Sequence, residues 1–163
     1  MNYFILFNLP EIFNLKKKKI KQKFYTLQKK YHPDFHINTK NHEKYIKKSI
    51  EINKGYKTLI NPLKRIEHLL SLNINYNLYN KKNKCDNEII KFQFNLYEKF
   101  EYYKKKNNHT MLKNFLDKIN KLENSLFNKI EKNIKKKNWE KSIFLLKYIK
   151  FINTFQIFVK KNI

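Results

Sequence analysis

The sequence predicts an all-α protein in two parts, and three observations support this prediction. Apolar residues recur at helical spacing through most of the 163-residue chain. Proline and asparagine-rich stretches stand between these segments, where helices should end. No segment has the alternating pattern of a half-buried strand. We expect an antiparallel helical hairpin with short helices at 1–73, a linker at 74–86 and a three-helix bundle at 87–163.

The hairpin consists of two long helices joined by a polar loop. The first helix has four apolar residues on one face, within about 60° of each other. Pro33 ends this helix, because proline disfavours helical geometry in the residue before it. After a loop near 34–41, a second helix at 42–60 must pack antiparallel to the first, since the connection is short. The apolar face of the first helix is Ile20, Phe24, Leu27 and Tyr31.

A third helix follows the hairpin within the first part. Asn61 is the predicted N-cap and Pro62 the predicted first helical residue. Leu63, Ile66 and Leu70 recur at helical spacing and should face inward.

The linker is rich in asparagine and has no helical period, and three amphipathic helices follow it near 87–106, 110–135 and 138–161. Short polar turns between these helices indicate a bundle. Their predicted core stripes are Ile89, Phe92, Leu96 and Phe100; Leu112, Phe115, Ile119, Leu122 and Leu126; and Leu145, Ile149, Ile152 and Val159.

Composition excludes several classes of protein. We find no apolar run that approaches a membrane span, and the start has the wrong order of apolar and charged residues for a signal peptide. The single cysteine, Cys85, cannot form an internal disulfide or hold a metal alone. A cytoplasmic protein without membrane contact is expected.

The formal net charge of +24 suggests nucleic-acid binding at first sight. However, lysines are spread over the whole chain rather than gathered in one element. The chain also lacks alanine and has one arginine and one glycine, which is the composition that AT-rich codons produce. We therefore expect no specific nucleic-acid partner, only salt-sensitive attraction to anions.

The stretch "LQKKYHPDFHINT" ends the first helix in His32, Pro33 and Asp34. These residues could form an acid/base pair, metal ligands, a helix stop or a docking point for another protein. Catalysis needs positioned groups and a nucleophile that the sequence does not supply. No spacing matches a known metal-ligand pattern, so we predict no catalytic residue, metal or cofactor. Docking also accounts for the lysine face that leads into the turn, which includes Lys21 and Lys29.

A helical hairpin with His-Pro-Asp at its loop resembles the J domain, whose partner is a DnaK-type chaperone ATPase. The segments "NYFILFNLP", "KFYTLQKKYHPD" and "INKGYKTLINPLKRIEHLLSL", together with a carboxyl-terminal three-helix module, resemble the HscB family across essentially the whole chain. HscB proteins are J-type co-chaperones of iron–sulfur cluster assembly.

The resemblance implies an activator of a partner ATPase, not an enzyme. It implies that His32, Pro33 and Asp34 stimulate ATP hydrolysis by the chaperone HscA. We expect Lys21 and Lys29 to bind the same chaperone. It also implies that the carboxyl-terminal bundle holds the iron–sulfur scaffold protein IscU and delivers it to that chaperone.

The second surface is visible on a helical wheel of residues 87–106. Ile90, Phe94 and Tyr97 lie about 80–140° from Ile89, away from the centre of the core stripe. An apolar patch outside the core is typical of a partner-binding face, and the alternative is a bundle helix whose apolar face is broad. Compared with the HscB family, the positions that match its scaffold-binding patch are Ile90, Phe94, Glu98 and Phe151.

The sequence departs from the family pattern in both surfaces. Phe35 follows His-Pro-Asp, where the family has a basic residue, and Lys91, Asn95 and Tyr102 replace apolar or acidic residues in the patch.

Three alternatives make different predictions. A general J-type co-chaperone would bind unfolded chains instead of a folded scaffold. A nucleic-acid-binding protein would bind at physiological salt, and an enzyme would turn over substrate without a partner.

Overall fold

The computed structural model describes residues 1–37, 42–74, 85–106 and 109–162. Within these ranges all regular secondary structure is helical, which confirms the predicted all-α class. The chain divides into two units, Met1–Asn73 and Ile74–Ile163. Most of the predicted linker lies outside the described residues, so its boundaries stay a prediction.

The first unit contains four α-helices and one 3-10 helix. The two long helices run antiparallel, because Phe24 stacks on Tyr56 at 4.1 Å and Tyr31 lies 6.3 Å from Tyr45 between ring centroids. The 3-10 helix occupies part of the predicted polar loop. The elements are α1 (Tyr3–Leu6), α2 (Lys17–Tyr31), the 3-10 helix (Pro33–His36), α3 (His42–Ile60) and α4 (Pro62–Asn73).

Helix α4 begins as the sequence predicts. The Oδ1 atom of Asn61 accepts a hydrogen bond from the backbone N–H of Lys64 at 3.1 Å, and Pro62 is the first helical residue. This cap satisfies one of the free N–H groups of the first turn. Ile66 and Leu70 are buried, whereas Leu63 is half-buried.

Helix α1 was not predicted, although the helix and its C-cap residue place two phenylalanines in the core of the first unit. Asn2 caps it by accepting from the N–H groups of Phe4 and Ile5 through Oδ1, at 2.9 and 3.3 Å. Phe4 and Phe7 are fully buried: Phe4 stacks on His68 of α4 at 5.6 Å between ring centroids, and Phe7 packs beside Gly55 of α3. Four residues are too few to display a helical period, so the pattern could not reveal this element.

The second unit packs three helices against each other: α5 (Cys85–Lys105), α6 (His109–Lys135) and α7 (Trp139–Asn162). One predicted core residue is wrong, since Leu122 is 36% exposed. It lies about 60° from Ile119 at the margin of the α6 face. The other predicted stripe residues are buried, except for Phe92, which is half-buried.

The expectation that no segment approaches a membrane span is wrong for helix α7. By length and composition, this helix is long and apolar enough to cross a membrane. A core helix of a bundle meets the same criterion, so this single helix is weak evidence for a span. Burial in the unit accounts for much of its apolar composition. The buried residues are Ser142, Ile143, Leu145, Leu146, Ile149, Ile152, Phe155 and Val159.

Candidate functional site

The His-Pro-Asp turn joins α2 to the 3-10 helix. His32 ends α2 with φ −64° and ψ 128°, the extended geometry that a following proline favours. Pro33 then opens the 3-10 helix. The backbone N–H of Asp34 donates to Nδ1 of His32 at 3.3 Å, and the N–H of Phe35 donates to the His32 carbonyl at 3.2 Å. The turn is therefore fixed by its own local hydrogen bonds.

The side chains of His32 and Asp34 lie side by side but remain open to water. Nδ1 of His32 is 3.6 Å from Oδ2 of Asp34, and the two side chains are 43% and 74% exposed. The same Nδ1 atom makes both contacts: a neutral imidazole accepts from the backbone N–H, and a protonated one would donate to the carboxylate. At this exposure an ion pair contributes little to stability. The carboxylate of Asp34 is accordingly free to pair with a group on another protein.

A second histidine holds the base of the turn. The ring of His36 stacks on Tyr45 of α3 with 3.5 Å between centroids and 8° between planes. Its Nε2–H donates to the carbonyl of Lys30 at 3.0 Å. These contacts fasten the 3-10 helix to both long helices. His36 thus has a positioning role that no sequence signal indicated.

Helix α2 presents a basic face beside the turn. The helix contains lysines but no aspartate or glutamate. Lys21 and Lys29 are exposed, with the exposed ring of Tyr25 between them at four-residue spacing. This face suits a partner surface that carries carboxylates.

The predicted scaffold-binding residues of α5 share one face. Ile90, Phe94 and Glu98 recur every four residues and are all exposed, with Ile90 at 59% and Phe94 at 63%. The core residues Ile89 and Leu96 point elsewhere, because both are buried. Two large apolar side chains thus lie in water beside a carboxylate.

Phe151 of α7 is half-buried rather than free. Its ring lies 5.9 Å from Phe92 and 6.0 Å from Tyr97 of α5, and 5.8 Å from Phe155. Tyr97 follows Phe94 by three residues, so it connects the exposed α5 face with Phe151. The structure therefore places Phe151 in an aromatic seam between α5 and α7, which the sequence did not predict.

Comparison with known proteins agrees with this architecture. Residues 3–68 match the DnaJ domain family model, which covers the hairpin and its turn. A curated HscB co-chaperone from Buchnera aphidicola is 40% identical over 168 residues, covering 99% of this chain and 95% of the relative. This chain belongs to the HscB co-chaperone family. An HscB homolog from Shewanella frigidimarina is 39% identical over 74 residues, covering 44% of this chain and 42% of that protein.

Solved structures of HscB proteins have the same fold. The chaperone HscB from Vibrio cholerae is 27% identical, with a TM-score of 0.85 and coverage of 99% of this chain and 96% of the other. Human HscB has a TM-score of 0.85 at 18% identity, covering 99% of this chain and 82% of the human one. The latter supports the fold alone. The chain is therefore a J-domain co-chaperone, and membership of this family implies a partner chaperone of the Hsp70 type and a part in iron–sulfur cluster assembly.

Proposed function

We propose that this chain stimulates ATP hydrolysis by the DnaK-type chaperone HscA and delivers the iron–sulfur scaffold IscU to it in the cytoplasm. The observation that carries the proposal is the exposed, locally fixed His-Pro-Asp turn at the end of a helix that holds only basic charges. The protein acts as an activator and not as an enzyme.

The turn and the α2 lysines have distinct roles in this proposal. Lys21 and Lys29 attract carboxylates of the ATP-bound chaperone and orient the encounter. Asp34 pairs with a basic group of the ATPase, and His32 supplies hydrogen bonds next to it. Pro33 presets the turn by fixing φ. Stimulation follows if these contacts are stronger in the hydrolysis-competent state of the chaperone than in its resting state.

The three-helix unit binds the scaffold protein in this proposal. Ile90 and Phe94 would bury apolar surface against the folded scaffold, while Glu98 at their edge would pair with a basic group on it. Phe151 would complete the contact from α7. Because one chain binds both proteins, the scaffold reaches the chaperone at a raised effective concentration.

The turn is tested by Asp34→Asn, which removes the charge but keeps the shape. Stimulation of HscA should be abolished, whereas the helical circular dichroism spectrum and scaffold binding should be unchanged. Asp117→Asn makes the same chemical change at an exposed site in the other unit and should leave stimulation intact. Equal stimulation by Asp34→Asn would remove the turn from the mechanism.

The scaffold surface is tested by Phe94→Ala combined with Phe151→Ala. The pair should weaken scaffold binding by about tenfold or more in calorimetry, because buried aromatic anchors carry much of an interface's energy. ATPase stimulation without scaffold should stay unchanged. Ile157→Ala, at a residue of α7 that is 51% exposed, is the matched control. Since Phe151 is half-buried whereas Phe94 is 63% exposed, Phe94→Ala alone serves as a variant with little packing cost. Unchanged affinity would mean that this face is ordinary bundle surface.

A further inference from the structure

Apolar side chains stand in water around the His-Pro-Asp turn. Tyr25 of α2 is 65% exposed and Phe35 of the 3-10 helix is 70% exposed. Ile46 and Ile50 of α3 are 37% and 49% exposed. We refer to these four residues as the apolar strip. Single exposed apolar residues are common, but several along one edge of a surface indicate an interaction site.

One hydrogen bond locates the α3 residues at the same edge of the hairpin as the turn. The Nε2 atom of Gln28 on α2 donates to Oδ1 of Asn53 on α3 at 3.1 Å, so these two residues mark one edge. One helical turn from Gln28 towards the loop, α2 reaches His32. Because the helices are antiparallel, one turn from Asn53 in the same direction brings α3 to Ile50, and a further turn to Ile46. Both isoleucines therefore flank the end of the hairpin that carries His32.

The turn itself extends the strip. The ring of Phe35 lies 5.7 Å from the ring of His32. Tyr25 lies on the Lys21–Lys29 face, about one turn before Gln28. The strip thus runs beside the basic face and next to the exposed carboxylate of Asp34.

We infer that the apolar strip docks an apolar segment of the DnaK-type chaperone, bordered by carboxylates that pair with Lys21 and Lys29. This inference rests on the proposed function and adds the chemistry of the partner's surface. The chaperone is the occupant to expect because the strip is continuous with the turn and the lysine face. A second copy of this chain fits poorly, since its own lysine face and the net charge of +24 would repel it.

Replacing both isoleucines by lysine separates apolar docking from attraction by charge. If the surface acts through charge alone, Ile46→Lys with Ile50→Lys adds two positive charges beside a basic face and should tighten binding at low salt. If the strip buries apolar area, the same variant should weaken binding. We expect the concentration of this protein that half-saturates HscA stimulation to rise by about tenfold or more.

The control changes the same residue type elsewhere in the unit. Ile12 is 47% exposed, close to the exposure of Ile50, and it lies before α2, at the other end of that helix from the turn. Ile12→Lys should leave the half-saturating concentration within about twofold of the parent. Phe35→Ser is a second test variant; because the ring is 70% exposed, the substitution removes little packing, and it should also weaken stimulation.

The outcomes test the docking role of the apolar strip separately from the proposed stimulation of HscA. Weaker binding by the isoleucine variant and by Phe35→Ser, at an unchanged melting temperature, supports the strip. Unchanged or tighter binding, while Asp34→Asn abolishes stimulation, overturns the strip and leaves the proposed function standing. Absence of stimulation by the folded wild-type chain overturns the proposed function instead. Wild-type self-association in sedimentation that the isoleucine variant loses, with unchanged stimulation, would assign the strip to a copy–copy contact and also overturn the inference.

Discussion

At the scale of single residues, Arg65, the one arginine of the sequence, uses its planar guanidinium to hold two separate backbone carbonyls. It is 4% exposed, and its guanidinium donates to two carbonyls, that of Leu59 at 2.6 Å and that of Phe13 at 2.7 Å. The group also lies over the Phe13 ring at 5.8 Å. A lysine ammonium has no planar fork to reach two separated acceptors in this way. Burial lowers the pKa of Arg65 from its ordinary value. The residue ties the start of α4 to the segment before α2.

His68 makes the stability of the first unit dependent on pH. The backbone N–H of Tyr3 donates to its Nε2 at 3.1 Å, so the imidazole must be unprotonated at that atom. Burial is the main factor that lowers the pKa of His68 below 6.5; the amino-terminal charge lowers it further, and Glu11 opposes the shift. The unfolded chain binds a proton at His68 more readily than the folded chain does. The stabilisation that the neutral imidazole provides is therefore fully present above pH 6.5, and it is lost as pH falls through the folded-state pKa of His68. Urea unfolding should therefore give a lower free energy at pH 5 than at pH 7.5.

The contribution of His68 is isolated by His68→Gln. The glutamine amide oxygen can accept from the same N–H but does not titrate. The variant should lose less stability than the parent between pH 7.5 and pH 5. An equal loss in both proteins would assign the pH dependence to other groups.

At the scale of elements, the docking of α1 on α3 depends on the single glycine. A Cβ atom on Gly55 would lie 2.7 Å from Cε2 of Phe7 and 3.0 Å from Cδ1 of Tyr3. Phe7 is 1% exposed and has little room to move. Gly55→Ala gains up to about 1 kcal/mol of helix propensity but incurs about 1–3 kcal/mol of overpacking. We expect a net loss of unfolding free energy of about 1 kcal/mol, measured by urea unfolding.

A double-mutant cycle with Phe7→Leu checks the cause of that loss. The smaller side chain should relieve the contact, so Gly55→Ala should cost less or become favourable on that background. Stabilisation by Gly55→Ala in the parent would show that α1 does not pack tightly there.

The sequence predicts the long helices well and the short or long-range features poorly. Periodicity and Pro33 place α2, and Asn61 with Pro62 places the start of α4. Helix α1 is missed because its stability depends on Gly55 and His68, which are distant in the chain. The prediction that Leu122 is a core residue is wrong because a helical wheel does not distinguish the centre of a buried face from its margin.

The candidate sites show the same division. His32 and Asp34 are recognisable because proline and a helix end act locally. The stack of His36 on Tyr45 and the seam around Phe151 depend on contacts between helices. A sequence pattern gives the face of each helix, but it does not give the rings that meet across the interface.

At the scale of the whole molecule, the two units carry separate halves of the proposed activity. The first presents the turn and the lysine face, and the second presents the face of Ile90 and Phe94. The excess of positive charge over the chain strengthens attraction to acidic partners at long range, and salt screens this term. Co-chaperone activity at physiological salt should accordingly depend on the short-range contacts of the turn and the apolar patches.

The most direct measurement is the ATPase rate of HscA alone, with this chain, and with the chain and the IscU scaffold together. We expect stimulation by the chain and a further, more than additive rise when scaffold is added, because the turn then acts on the chaperone while the three-helix unit brings the scaffold to it. Absence of stimulation by the folded protein would contradict the proposed action on the chaperone. If adding scaffold leaves the stimulated rate unchanged, the proposed delivery of IscU to the chaperone would be contradicted.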